Sequence, residues 1–190
     1  MKNRTIEELG RMTAEQFHQA QKLPLVAVLD NVRSLHNIGA VFRTADAFRL
    51  HSVVLCGICC CPPNTEIHKT ALGAEETVDW QYFADTTEAV RTLKENGYTV
   101  YAVEQVHQSK TLEEVAREWR EAHEHNTSEA SGIAVVFGHE VFGVQQTVVD
   151  QCDRCIEIPQ YGTKHSLNVS VTAGIVLYTL AQTFSQDAVS

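Results

Sequence analysis

The sequence predicts an α/β fold, a mainly parallel sheet flanked by helices. Three observations carry this. Runs of five or six residues are almost continuously apolar and rich in valine and isoleucine, as strands buried on both faces are: LVAVL (25–29), VVLCGI (53–58), YTVYAV (98–103) and IAVVFG (133–138). Between these runs, apolar residues recur at helical spacing. Strand and helix alternate along most of the chain, which is how a parallel sheet is wound.

Taken in order, residues 1–22 read as helical, with Thr13 and Gln16 spaced as a capping box ahead of Phe17 and Ala20. The strand at 25–29 leads through a polar loop to a helix over 38–49, whose apolar face is Ile38, Val41, Phe42, Ala45 and Phe48. The strand at 53–58 ends at CCCPPN, because two prolines remove ladder donors. A short helix over 65–72 and a strand over 77–83 (TVDWQYF) come next. The helix over 87–96 is stopped by Gly97, and strand 98–103 precedes a charged helix over 111–123. HNTSEASG (125–132) is the most loop-like stretch. Strand 133–138, a short amphipathic helix over 145–151, strand 155–158, a polar loop and a helix over 168–184 complete the pattern. The expected division is a helical extension at 1–24 and one domain at 25–190.

With 190 residues the chain suits one domain with a substantial core. Its net charge of −9 argues against non-specific coating of nucleic acid or an anionic membrane. The acidic excess falls mostly after residue 80, which leaves room for a local basic site in the front half. No apolar run approaches the roughly 20 residues of a membrane helix, and the first residues do not resemble a secretory signal, so the chain reads as cytoplasmic. Six cysteines include two C-x-x-C pairs, 56/59 and 152/155. Cys56 sits inside an apolar run and the pairs are too far apart for a zinc ribbon, so these read as small buried hydrophobes and no metal is expected.

In sheets of this kind ligands gather beyond the carboxyl ends of the strands. Three such loops, 30–37, 138–144 and 159–168, are unusually polar. No G-x-G-x-x-G follows a strand, and GTKHS (162–166) lacks the earlier glycine of a phosphate-binding loop. NVRSLHNIGAVFRTADAF (31–48) contains N-x-G-x-x-x-R-T-A, VVFGHEVFGV (135–144) is an apolar strand ending in G-x-E-x-x-G, and IEIPQYGTKHSLNVSVTAGIVLY (156–178) runs from an I-P strand end through a glycine loop to S-L-N-V-S. Together, in order, these resemble the three motifs of the SpoU-type (TrmH-like) RNA ribose 2′-O-methyltransferases of the SPOUT α/β-knot superfamily. Departures are Gln160 after the I-P pair, Val141 after Glu140 with the glycine only at Gly143, and Arg33-Ser34-Leu35-His36 ahead of Asn37. They bear on the substrate more than on the reaction.

The resemblance implies a deep C-terminal trefoil knot, S-adenosylmethionine bound in a bent conformation by the knot loops, tRNA or rRNA as substrate, and two subunits that pair to complete the site. It implies a catalytic set of Arg43, Asn37, Glu140, Ser166 and Asn168, and cofactor contacts at Gly138, Ile158 and Leu167. Each has a plainer reading. Arg43, whose planar fork could grip a phosphate, could instead pair with Asp46 three residues on. Asn37 could cap the following helix, Glu140 could be a solvated turn residue, and Ser166 and Asn168 an N-cap and first-turn residue. Gly138, Ile158 and Leu167 could be strand-end packing. The final helix, with Val171, Ile175, Leu177 and Tyr178, has more apolar positions than one buried face needs, which suggests a homodimer. Two alternatives to the enzyme are an idle RNA-binding relative on the same scaffold and a zinc-stabilised interaction domain.

Overall fold

The computed structural model describes residues 3–5, 8, 10–125 and 130–184. Strands β1 (Leu23–Asp30), β2 (Leu50–Cys56), β3 (Trp80–Phe83), β4 (Tyr98–Val103), β5 (Lys110–Thr111), β6 (Gly132–Phe137) and β7 (Arg154–Glu157) form one sheet in the order β3-β2-β1-β6-β4-β7-β5. Every pairing is parallel. The helices are α1 (Ala14–Gln19), α2 (Leu35–Ala47), α3 (Thr65–Ala71), α4 (Ala74–Thr77), α5 (Thr86–Glu95), α6 (Leu112–Glu124), α7 (Gln146–Val149) and α8 (Val169–Phe184).

The continuous apolar runs are explained by cover on both faces. Leu25, Ala27 and Leu29 of β1 and Ile133, Val135 and Phe137 of β6 face α2, α6 and α8. The intervening Val26, Val28, Ala134 and Val136 pack with Ala89 and Val90 of α5 and Val148 of α7. Each fully buried valine, leucine or phenylalanine of this kind contributes about 1.5–3 kcal/mol relative to exposure. α8 returns from the far side of the sheet to pack on α2, α6 and β1.

Some expectations are corrected. Among the described residues, the α-helix read over 1–22 is reduced to Ala14–Gln19, because Thr13 caps it from extended backbone (φ −72°, ψ 164°) and a helix cannot run back through its own cap. Part of that reading falls outside the described residues, as do positions 126–129 of the loop at 125–132. The strand read over 77–83 shortens to Trp80–Phe83, since Thr77 closes α4. The helix at 38–49 begins three residues earlier than expected, at Leu35.

The site is set by where the winding reverses. From β1 the chain steps outward to β2 and β3, while β6 lies on the other side of β1, with Leu29 opposite Phe137. The loops leaving β1 and β6 therefore emerge side by side at the carboxyl edge, which is where open α/β sheets hold ligands.

Candidate active site

The first loop is rooted by Asp30, fully buried at the end of β1. Its carboxylate accepts from Asn31 Nδ2 (2.8 Å), Thr86 Oγ1 (2.6 Å), Gln145 N (2.9 Å) and Gln145 Nε2 (3.2 Å). Four donors satisfy a charge that would otherwise be costly to bury. They also tie the start of loop 31–34 to α5 and to the exit of loop 138–144. The cap of α2 is Ser34, whose Oγ accepts from Asn37 N (3.3 Å), so Asn37 is not the N-cap its sequence position suggested. Its side chain is thereby free for the site.

The second loop is a tight hairpin. His139 and Gly143 exchange backbone hydrogen bonds (3.0 and 2.9 Å). A Cβ on Gly138 would lie 2.1 Å from the Gly143 carbonyl carbon and the Val144 nitrogen, so only glycine permits the closure. Glu140 follows His139 in that hairpin and reaches across to the first loop. Its Oε1 accepts from Ser34 N (2.8 Å) and Asn37 Nδ2 (3.1 Å), its Oε2 from Arg33 N (3.1 Å). Partial burial pushes the carboxyl up, but the amides of Ser34 and Arg33 and the Asn37 side chain outweigh that and hold it below the ordinary glutamate range. The arginine it touches is thus Arg33, through main chain, and not Arg43.

The third loop joins through Asn168. Its Oδ1 accepts from Ser170 N (2.9 Å) and Ser170 Oγ (2.6 Å) at the start of α8, and its Nδ2 donates to Asn37 Oδ1 (3.3 Å). Glu140, Asn37 and Asn168 thus form one hydrogen-bonded chain across all three loops, and the Asn37 amide has both ends specified. Beside it opens a cleft of about 510 Å³ whose walls include Gly138, Glu140, Ile158, Ser166, Leu167 and Asn168. That volume is within the range of small-molecule sites.

Arg43 stands apart. It is exposed and lines a shallow groove with Phe48, Lys69, Thr70 and Gly174, not the cleft. Among the described residues it makes no ion pair: Asp46 instead accepts from Thr77 Oγ1 (3.0 Å), so the intrahelical pairing is not formed. The groove continues onto α8, where the Tyr178 ring lies tilted at 54° against Phe48 with centroids 5.7 Å apart, and Val171, Ile175 and Tyr178 are exposed. Of the eight site residues read from the motifs, the structure gathers seven around the clamp and cleft and leaves Arg43 outside. Sequence reasoning missed Ser34, Asp30 and Glu104, which also lines the cleft. An acidic residue directly ending an apolar strand, as in LVAVLD and YAVE, was the available signal.

The two C-x-x-C pairs cannot share a zinc ion. Cys56 and Cys155 stand on strands four places apart in the sheet, about 19 Å at the usual strand spacing. Burial also pushes the thiols up, to about 12 at Cys56, about 11 at Cys59 and about 12 at Cys152, away from the thiolate that a metal requires.

Compared with known proteins, residues 24–178 match the SpoU rRNA Methylase family. The chain belongs to that family. It is 34% identical over 181 residues to the tRNA (guanosine(18)-2′-O)-methyltransferase of Thermus thermophilus, covering 94% of this chain and 84% of that one. It is 32% identical over 154 residues to the 23S rRNA (guanosine-2′-O-)-methyltransferase RlmB of Neisseria meningitidis serogroup B, covering 81% of this chain and 56% of the relative, so it spans about half of that protein. In three dimensions it resembles the A. aeolicus TrmH/SpoU tRNA modifying enzyme, with a TM-score of 0.75, 24% identity, and coverage of 91% and 83%. The α/β sheet is therefore that of SpoU methyltransferases, and the clamp and cleft draw together the three polar loops at 30–37, 138–144 and 159–168.

Proposed function

We propose that this SpoU-family protein transfers a methyl group from S-adenosylmethionine to a ribose 2′-hydroxyl of tRNA or rRNA, acting in the cytoplasm as a homodimer. The observation that carries the reading is the Glu140–Asn37–Asn168 chain beside the 510 Å³ cleft, because it draws all three motif loops to one place. The cleft suits the cofactor: Gly138 leaves backbone accessible, Ile158 and Leu167 offer apolar flanks for a purine, and polar groups at Ser166 and Glu104 lie on the same walls. When bound, S-adenosylmethionine supplies a methyl group already activated by its sulfonium. What remains for the protein is to position the acceptor hydroxyl, relieve it of its proton and exclude water.

Arg43 is the residue for the acceptor. Its guanidinium can hold a phosphate bidentately next to the ribose, and Lys69, paired with Glu66 at 2.7 Å, lines the same groove. Since Arg43 lies outside the cleft of its own chain and beside the exposed apolar stripe of α8, the reading that fits is a dimer through α8 in which the groove of one protomer faces the cleft of its partner. The deep trefoil knot implied by the motif resemblance, with the C-terminal segment threaded through a loop, belongs to the same reading. So does the division into an extension at 1–24 and a methyltransferase unit at 25–190. The two homologues act on guanosines, one in tRNA and one in 23S rRNA, and both classes of RNA are candidates.

The test is incubation with labelled S-adenosylmethionine and total RNA from a strain lacking the gene, followed by mapping of the methylated ribose. Label in one 2′-O position is expected. An idle RNA-binding relative would retain RNA on a filter and transfer nothing.

A further inference from the structure

The walls of the cleft carry three carboxylates, Glu104, Glu140 and Glu157, and among the described residues no lysine or arginine. Two are committed elsewhere. Glu140 is held by the amides of the first loop, and Glu157 Oε2 accepts from Ser109 Oγ at 2.7 Å. Glu104 differs. It sits half-buried just past the end of β4, and its Oε1 accepts from Val144 N at 2.6 Å. This approach exists because residue 143 is glycine at φ +68°: a Cβ there would lie 2.0 Å from Glu104 Oε1. One oxygen is thus pinned, and among the described residues no cation pairs with the group. A fixed carboxylate in a cavity wall without a counter-ion from its own chain makes a local field that favours positive charge.

We propose that Glu104 makes the cleft select by charge, favouring the cationic methyl donor over the uncharged product left after transfer. This rests on the reading of the cleft as the S-adenosylmethionine site. Donor and product share the adenosine and amino-acid parts and differ by one methyl group and one positive charge. On transfer the S–CH3 bond breaks, its electron pair stays on sulfur, the O–CH3 bond forms and the hydroxyl proton leaves to solvent. The charge that Glu104 attracts is then gone, and the product is released from a site that holds it less tightly than the donor.

Three ligands separate charge from the methyl contact: S-adenosylmethionine, S-adenosylhomocysteine, and sinefungin, which carries an ammonium in place of the sulfonium and has no transferable methyl. Calorimetry on the wild type should show both cationic ligands binding about tenfold tighter than S-adenosylhomocysteine, the scale of one carboxylate acting over several ångströms at an intermediate dielectric. Raising the salt concentration should shrink that preference. Glu104→Gln keeps an oxygen for the Val144 amide and removes the charge, so it should abolish most of the preference by weakening the two cationic ligands far more than S-adenosylhomocysteine. A wild type that binds S-adenosylhomocysteine as tightly as sinefungin overturns the proposal without recourse to any variant. So does a preference that survives intact in a folded Glu104→Gln protein. Failure of all three ligands to bind the wild type overturns instead the reading of the cleft as a cofactor site.

Discussion

One helix, α2, supplies both the clamp and the groove, yet the two regions are built on opposite terms. In its first turn Asn37 is buried, its amide fixed at both ends by Glu140 and Asn168. Further along, Arg43 is exposed and among the described residues unpaired. The clamp is complete within a single chain, down to the Ser34 cap that spares Asn37 from that duty. The groove is open on the side where α8 shows its apolar stripe. The contrast teaches that one chain pre-organises its pocket and leaves Arg43 open to solvent, beside an apolar stripe that the proposed dimer would cover.

The sharpest way to break the comparison is Arg43→Ala. Turnover at saturating RNA and cofactor should fall by at least about a hundredfold, the scale of an ångström-sized misplacement. Cofactor affinity should hold, and stability should move by no more than about 0.5 kcal/mol, as expected of an exposed position without partners. Arg43→Lys should rescue little, since a point charge does not reproduce the planar fork. Turnover within a few-fold of wild type would end the catalytic assignment.

Ile175→Asp tests the open side. A charge in the α8 stripe should convert a dimer to a monomer by light scattering at micromolar concentration and remove methyl transfer, with cofactor binding retained. A wild type that is already monomeric and active would refute the paired arrangement.

On the finished side, Glu140→Gln should destabilise the fold by about 1–3 kcal/mol, because the loop amides and Asn37 lose a charged acceptor. Chemical denaturation measures it. The smallest effect is its pH dependence. Glu140 has a lowered folded pKa, so its stabilisation is complete above the ordinary glutamate range and is lost as pH falls through the lowered value. Between neutral pH and about pH 3, wild type should therefore lose more stability than Glu140→Gln, the two curves converging in acid.

The sheet was legible because strands covered on both faces have no polar alternation to obscure them: the run at 98–103 is β4 residue for residue. Short elements were not. Lys110–Thr111 is too brief to show a period, and α4 hides in the approach to β3. In the site, the motifs identified residues but not faces. The spacing of six residues from Asn37 to Arg43 sets the two roughly 120° apart on one helix, but does not say which of them turns inward to Glu140. The alternative role given to Asn37 failed for a local reason, since Ser34, three residues earlier, is an equally good cap and starts the helix sooner.

The position of β6 has a consequence for how the chain is made. It fills the slot between β1 and β4, pairing Leu25 with Ile133 and Thr99 with Ile133 from the other side. Until residue 137 leaves the ribosome, β1 has one unpaired edge and β4, whose other partner β7 is made later still, has two, both in strongly apolar strands. Closing the centre therefore waits on contacts far apart in sequence, which makes folding slow and leaves nascent chains prone to pairing with one another. A chain cut before β6 would keep most of its apolar surface and lose the strand that buries it.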